Sequence, residues 1–243
     1  MKLLLLAGTA EARALAGRLA EDPRFEVVAS LAGATQQAKP LPVPTRIGGF
    51  GGAPEQEEYI KANHLDVVVD ATHPFAAQIS DRSQEICAAL DLPYLQLLRP
   101  GWQPGEGDDW RFISGLEEVA DLLPQGARVF LATGRKTLED YKNISDHTLY
   151  CRVVDPPETP FPYPDGGYIT GRPPFSMESE TELFRDLGIT HLVVKDAGGV
   201  ADAKFAAARA LGIKVIVIER PPQPPGEKAA TVEEALAWLE ARL

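Results

Sequence analysis

A carboxyl group, a hydroxyl and an imidazole crowd together in Asp70-Ala71-Thr72-His73-Pro74-Phe75-Ala76, directly after the apolar run Val67-Val68-Val69. Such a set suits proton transfer and the hydrogen-bonded positioning of a small molecule. The valine run reads as a buried parallel strand, and open α/β sheets bind ligands beyond the carboxyl ends of such strands. Pro74 fixes its own φ and stiffens the turn. His73 alone would equally suit a satisfied structural histidine, and Asp70 a helix cap. The whole cluster at a strand end favours a site.

Other turns carry weaker signals. Leu4-Leu5-Leu6-Ala7-Gly8-Thr9-Ala10-Glu11 reads as strand, tight turn and helix start. Backbone N–H groups at a helix start suit a phosphate. Only one of the three glycines of the usual dinucleotide fingerprint is present, so a plain turn and a phosphate cradle both remain open. Thr9 suits a cap, a phosphate ligand, or both. Ser30 stands near the place where an NAD-preferring fold carries an acid, and its neutrality permits a 2′-phosphate. Gly48-Gly49-Phe50-Gly51-Gly52 reads as backbone approaching a ligand, as a mobile flap, or as a flexible surface loop, against which Phe50 argues. Further along, Thr133-Gly134-Arg135, Gly171-Arg172-Pro173-Pro174-Phe175-Ser176, and Lys195-Asp196-Ala197-Gly198-Gly199 with Lys204 each put a cation beside glycines near a helix start. Together they suggest an N–H-rich basic pocket for carboxylates or phosphates.

These turns need a framework, and the hydrophobic pattern supplies one. Apolar strand-like runs at 3–7, 25–31, 67–70 and 94–97 alternate with helical patterns at 11–21 and 76–90. After a Pro/Gly-rich stretch at 99–110, strands at 128–132, 148–153, 191–195 and 214–219 alternate with helices at 177–187, 201–211 and 232–243. Thr231 and Glu234 form a capping pair for the last helix. The expected architecture is α/β, two lobes with mostly parallel sheets and an interdomain cleft, since clefts between domains are favoured ligand sites. The 243 residues suffice for such a core without staples. Cys87 and Cys151 are expected to be reduced core thiols, in a helix and a strand respectively. No metal-ligand spacing occurs, and no metal is expected. The net charge of −11 argues against a general nucleic-acid binder and requires a local basic pocket for any anionic substrate. The Met1–Gly8 start is too brief for an export signal, no apolar run is long enough to span a membrane, and a cytoplasmic location is expected.

Taken in order, Gly8-Thr9-Ala10-Glu11-Ala12-Arg13, the Gly48–Gly52 loop, Asp70–Ala76, Arg99-Pro100 with Trp102, Thr133-Gly134-Arg135, Gly171 with Pro174-Phe175, Lys195–Gly199 with Lys204, and Ile218-Glu219-Arg220-Pro221 resemble the precorrin-6A reductase family of cobalamin biosynthesis. Ala197 stands where many relatives would carry Ser, and residues 155–167 match nothing recognisable. The resemblance implies two Rossmann-like three-layer lobes: 1–98 holding a nicotinamide cofactor, a linker at 99–112, and 113–243 contributing to the substrate cleft. It implies hydride transfer from NADPH, with NADH as the alternative, to a macrocycle double bond of precorrin-6A or its cobalt form. The substrate carries many carboxylates, and transient contact with neighbouring pathway enzymes is a further expectation. The cofactor would use Gly8, Thr9, Ala10, Ser30, Gly33, Gly49, Gly51 and Thr72. The macrocycle would meet Phe75, Arg99, Arg135, Gly171, Arg172, Phe175, Gly198 and Lys204. His73 or Lys195 would supply the proton, unless water or the substrate does. Competing readings are another tetrapyrrole- or nucleotide-handling enzyme, such as a methyltransferase, and a non-catalytic two-lobed ligand-binding protein.

Overall fold

A computed structural model describes residues 1–33, 40–155, 157–199 and 203–243. The chain forms two compact units, one of Met1–Pro100 with Pro221–Leu243, the other of Gly101–Arg220.

The first unit runs β1 (Lys2–Leu6), α1 (Ala10–Ala20), β2 (Glu26–Leu31), β3 (Thr45–Ile47), α2 (Ala53–Ala62), β4 (Val67–Asp70), α3 (Ala77–Ala89) and β5 (Tyr94–Leu97). Consecutive strand residues point to opposite faces, and both faces of β1 are covered. Leu3 and Leu5 pack with Ala12, Leu15 and Leu19 of α1. Leu4 and Leu6 pack with Ile60 of α2 and with Ile86 and Cys87 of α3. A strand buried on both sides reads as a continuous apolar run, which is why Leu3-Leu4-Leu5-Leu6 and Val67-Val68-Val69 are so uniform. Each fully buried side chain of this kind contributes about 1.5–3 kcal/mol.

The second unit runs β6 (Trp110–Ile113), a 3-10 segment at Leu116–Leu122, β7 (Arg128–Leu131), a 3-10 segment at Arg135–Ile144, β8 (Thr148–Val153), β9 (Gly166–Thr170), α4 (Met177–Asp186), β10 (His191–Lys195), α5 (Ala203–Leu211) and β11 (Lys214–Ile218). Phe130, Leu192, Val194, Val215 and Val217 face Phe184 of α4 and Phe205 of α5. The chain then forms β12 (Glu227–Ala229) and α6 (Val232–Glu240).

The strand orders are β12-β5-β4-β1-β2-β3 and β6-β11-β10-β7-β8-β9, and every pairing described is parallel. Each sheet has the dinucleotide-fold order, with the chain winding outward in both directions from a central strand. The sixth position is filled from elsewhere in the chain. β6 follows the first unit in sequence yet pairs with β11, and β12 follows the second unit yet pairs with β5.

This corrects the expected domain bounds. Residues 113–243 do not form one lobe, because Pro221–Leu243 returns to the first unit. Nor is 99–112 a free linker, since its end is strand β6 and Gly101 onward belongs to the second unit. α6 packs Ala235 and Leu239 into the first core. β3, α2, β9, β12 and the two 3-10 segments had no counterpart in the sequence reading. Cys87 and Cys151 are free and buried in α3 and β8, and burial pushes their thiols up to about 12 and about 11. Among the described residues, no helix is long and apolar enough to cross a membrane.

Candidate active site

Because each sheet is parallel, all carboxyl ends of its strands share one edge. The first-unit candidates follow such ends, except Ser30, which lies within β2 one residue before its end. Gly8 comes after β1, and a Cβ built on it would meet nothing within 4 Å. Ala10 opens α1, whose cap is Thr9. The Thr9 hydroxyl accepts from Ala12 N at 3.1 Å and donates to Ala71 O at 2.8 Å. Its proton is therefore committed to joining the turns after β1 and β4. Those two strands are neighbours from which the chain winds in opposite directions, so the crevice beyond them is the topological switch point.

The turn after β4 is built around Asp70, which is fully buried. Its Oδ1 accepts from Thr72 N at 2.9 Å and Thr72 Oγ1 at 2.7 Å, and its Oδ2 accepts from Tyr94 OH at 2.9 Å. Burial, with Asp70 beside it, pushes the Tyr94 phenol well above its ordinary value. The Thr72 hydroxyl, expected on a cofactor, thus donates to Asp70. His73 Nδ1 accepts from Phe75 N at 3.3 Å. The neutral ring then carries its proton on Nε2, which makes Nε2 the donor. The rings of His73 and Phe75 lie 5.7 Å apart. Arg99, expected on substrate carboxylates, pairs instead with Glu11 in the first turn of α1, which offsets its charge.

Ser30 ends up beside a residue that the sequence reading passed over. Arg46, in β3, is in register with Ser30 and donates from Nη1 to Ser30 Oγ at 2.7 Å. It also donates to Gly48 O and Gly49 O, both at 3.0 Å. The guanidinium lies 3.9 Å from the centre of the Phe50 ring and 5.3 Å from that of Tyr59. Stacking on aromatic faces is a favoured setting for Arg. This explains Phe50 amid the glycines: it is a platform for a cation. An Arg two residues before a glycine loop was the available signal. Gly33 and Gly51 border this corner with φ of 74° and 103°. An open glycine turn at a helix start, and an Arg held beside a neutral Ser, fit a nicotinamide dinucleotide.

In the second unit, Lys195 ends β10 and is half-buried, and burial lowers its ammonium below the ordinary lysine range. Gly198 follows with φ 65°. Arg135 is exposed, directly after Gly134, and shares a cavity of about 390 Å³ with Glu139, Thr159 and Tyr168. Arg172, expected on substrate, pairs with Asp155. Phe175 lies against the Arg152 guanidinium at 4.1 Å, and a Cβ on Gly171 would come within 3.0 Å of that ring. Arg152 in turn donates to both carboxylate oxygens of the buried Glu180, at 2.7 and 2.8 Å. Lys204, in α5, places its ammonium 5.8 Å from the Trp102 ring centre.

Two parallel six-stranded sheets, each in dinucleotide-fold order, define an α/β protein of the doubly wound class. Comparison with known proteins is specific. Residues 2–240 match the family model described as Precorrin-6x reductase CbiJ/CobK. A precorrin-6A reductase of Rhodobacter capsulatus is 44% identical over 240 residues, covering 98% of this chain and 95% of the relative. One of Rhodococcus erythropolis is 43% identical, covering 98% and 97%. A solved structure titled CobK precorrin-6A reductase superposes with a TM-score of 0.94 at 43% identity, covering 99% of this chain and 96% of that one. The chain belongs to the precorrin-6x reductase family.

Proposed function

We propose that this chain reduces one ring double bond of precorrin-6A, with NADPH as the hydride source. The observation that carries the coenzyme reading is the Ser30–Arg46 pair on the adjacent strands β2 and β3, where an acid would repel a 2′-phosphate. Reduced nicotinamide, when bound, supplies a hydride at C4. The N-terminal amides of α1 and the open backbone at Gly8 hold the diphosphate. Arg46, preset by Ser30 and Phe50, holds the 2′-phosphate. The turn after β4, tied down by Thr9 and Asp70, presents the Nε2–H of His73 as a hydrogen-bond donor that orients the substrate ring, and the proton that reaches the carbon next to the reduced one comes from water or the substrate. Arg135, Lys195 and Lys204 offset the carboxylates of the substrate, a task that an acidic chain cannot leave to its overall charge. The cobalt-free substrate is favoured because both relatives named above carry the name precorrin-6A reductase.

The test is coenzyme consumption and its selectivity. Under anaerobic conditions the protein should oxidise NADPH when precorrin-6A is added, and faster than with the cobalt form. Arg46→Ala should weaken NADPH binding about 10- to 100-fold, the size of one to two charge-assisted hydrogen bonds, and leave NADH binding unchanged. Equal loss for both coenzymes would remove the 2′-phosphate role, and no NADPH oxidation would remove the activity.

A further inference from the structure

We infer that Gln223 is a positioning residue that sets the tautomer of His73 through a single peptide plane; the catalytic part of this rests on the function proposed above. Gln223 sits in Pro221-Pro222-Gln223-Pro224-Pro225, on the way to β12. Four of these five residues lack an N–H and have φ fixed by their rings. The run can neither pair as a strand nor donate along its backbone, apart from Gln223 itself. Its side chain makes the attachment.

Gln223 Nε2 donates to Pro74 O at 3.0 Å and to Pro221 O at 2.7 Å. Both partners are carbonyls, which only accept, so the amide orientation is determined by chemistry. Oε1 is thereby left to accept, and it does so from Gln96 Nε2 at 2.9 Å. Gln96 is 4% exposed and stands in β5 in register with Asp70, so the clasp is anchored in the sheet.

The acceptor Pro74 O belongs to the same peptide group as Phe75 N. In a trans peptide these two point in opposite directions from one plane. Holding the oxygen toward Gln223 therefore aims the Phe75 N–H the other way, and that N–H is the one donated to His73 Nδ1. Thr9 and Asp70 secure the root of the turn, at Ala71 and Thr72. Gln223 secures the Pro74–Phe75 peptide, whose N–H is donated to His73. With the plane fixed, the proton of the neutral imidazole resides on Nε2. With the plane free to rotate, Nδ1 loses this donor and the bias toward the Nε2 tautomer that it imposes weakens.

The experiment is imidazole ¹⁵N NMR on the ligand-free full chain, which distinguishes protonated from unprotonated ring nitrogens, together with steady-state kinetics. Gln223→Met removes the donor at nearly constant size, and Gln223→Glu retains the shape while replacing the donor with an acceptor, so the two guard against a folding defect in either one. In both variants the His73 signals should shift from one tautomer toward a mixture. Turnover should fall about tenfold with the Kd for NADPH unchanged, the scale of one hydrogen bond. The double variant Gln223→Met/His73→Ala should be no slower than His73→Ala, because both act through the same imidazole ring. An unchanged His73 pattern, or losses that multiply in the double variant, would overturn the inference. If the wild-type chain does not reduce precorrin-6A, the proposed activity fails while the ¹⁵N result still decides the role of Gln223.

Discussion

The two units share one strand order but end their equivalent central strands with opposite charges. β4 closes on Asp70, fully buried and saturated by hydroxyl and amide donors. β10 closes on Lys195, half-buried, with an ammonium that burial makes easier to deprotonate. The turns after the first central strands differ as well. Gly8 leads into an eleven-residue α-helix with a side-chain cap, whereas Gly134 leads into a ten-residue 3-10 segment with a kink at Tyr141 and no side-chain cap. A regular α-helix start offers aligned N–H groups and a positive dipole end, and a kinked 3-10 segment offers less of both. The same topology therefore supplies a capped α-helix start and a buried acid at one edge and a cationic edge in the other unit, through the residues placed at the strand ends.

The largest expected effect tests the anionic side of this contrast. Asp70→Ala removes the acceptor of the buried Tyr94 phenol and of the half-buried Thr72 amide and hydroxyl, and an orphaned buried donor costs about 1–3 kcal/mol. Thermal unfolding should show a loss of roughly 2–3 kcal/mol. A loss near zero would mean that the buried carboxylate does not organise the turn.

Next comes the glycine contrast, tested by a matched pair. Gly134 has φ 79°, so Gly134→Ala should destabilise by about 1–2 kcal/mol. Gly8 is outside the left-handed region and its Cβ direction is open. Gly8→Ala should leave the melting curve within about 0.5 kcal/mol of wild type, yet weaken coenzyme binding in a titration. Equal behaviour of the two variants would erase the distinction between the edges.

The smallest effect concerns Lys195. Its folded-state pKa is lowered, so the unfolded chain holds that proton more tightly between the lowered value and 10.5. Stability should rise with pH through that window, and the strain is fully present below it. Lys195→Met should accordingly be slightly more stable than wild type near neutral pH and should lose the alkaline rise, while the affinity for a polycarboxylate substrate falls. Urea titrations at a series of pH values read this directly, and an unaltered alkaline slope in the variant would assign the rise to another group.

Much of the framework was legible in the chain itself. Leu3–Leu6, Val67–Val69 and Leu192–Val194 announce strands buried on both faces, because such strands have no polar side to encode. Thr9 and Thr231 announce helix starts through local capping chemistry that needs no distant partner. The turns after those strands hold the residues the sequence singled out, and both sets reach the carboxyl edge of their sheet. Short β3, β9 and β12 were invisible. Three to five residues of mixed polarity pair through backbone hydrogen bonds, which leave little trace in side-chain pattern.

What the sequence determined by itself is the local inventory: which segments are apolar enough to be central strands, which turns carry acid, imidazole or cation, and where helices begin. Tertiary structure alone decided the partners. It carried Pro221–Leu243 back to the first sheet, stacked Arg46 on Phe50 beside Ser30, committed Arg99 to Glu11 and Arg172 to Asp155, and brought Gln223 to the carbonyl of Pro74. Each of these joins residues through space, and a hydrogen bond or ion pair depends on distances of about 3 Å, which the order of residues along a chain does not contain.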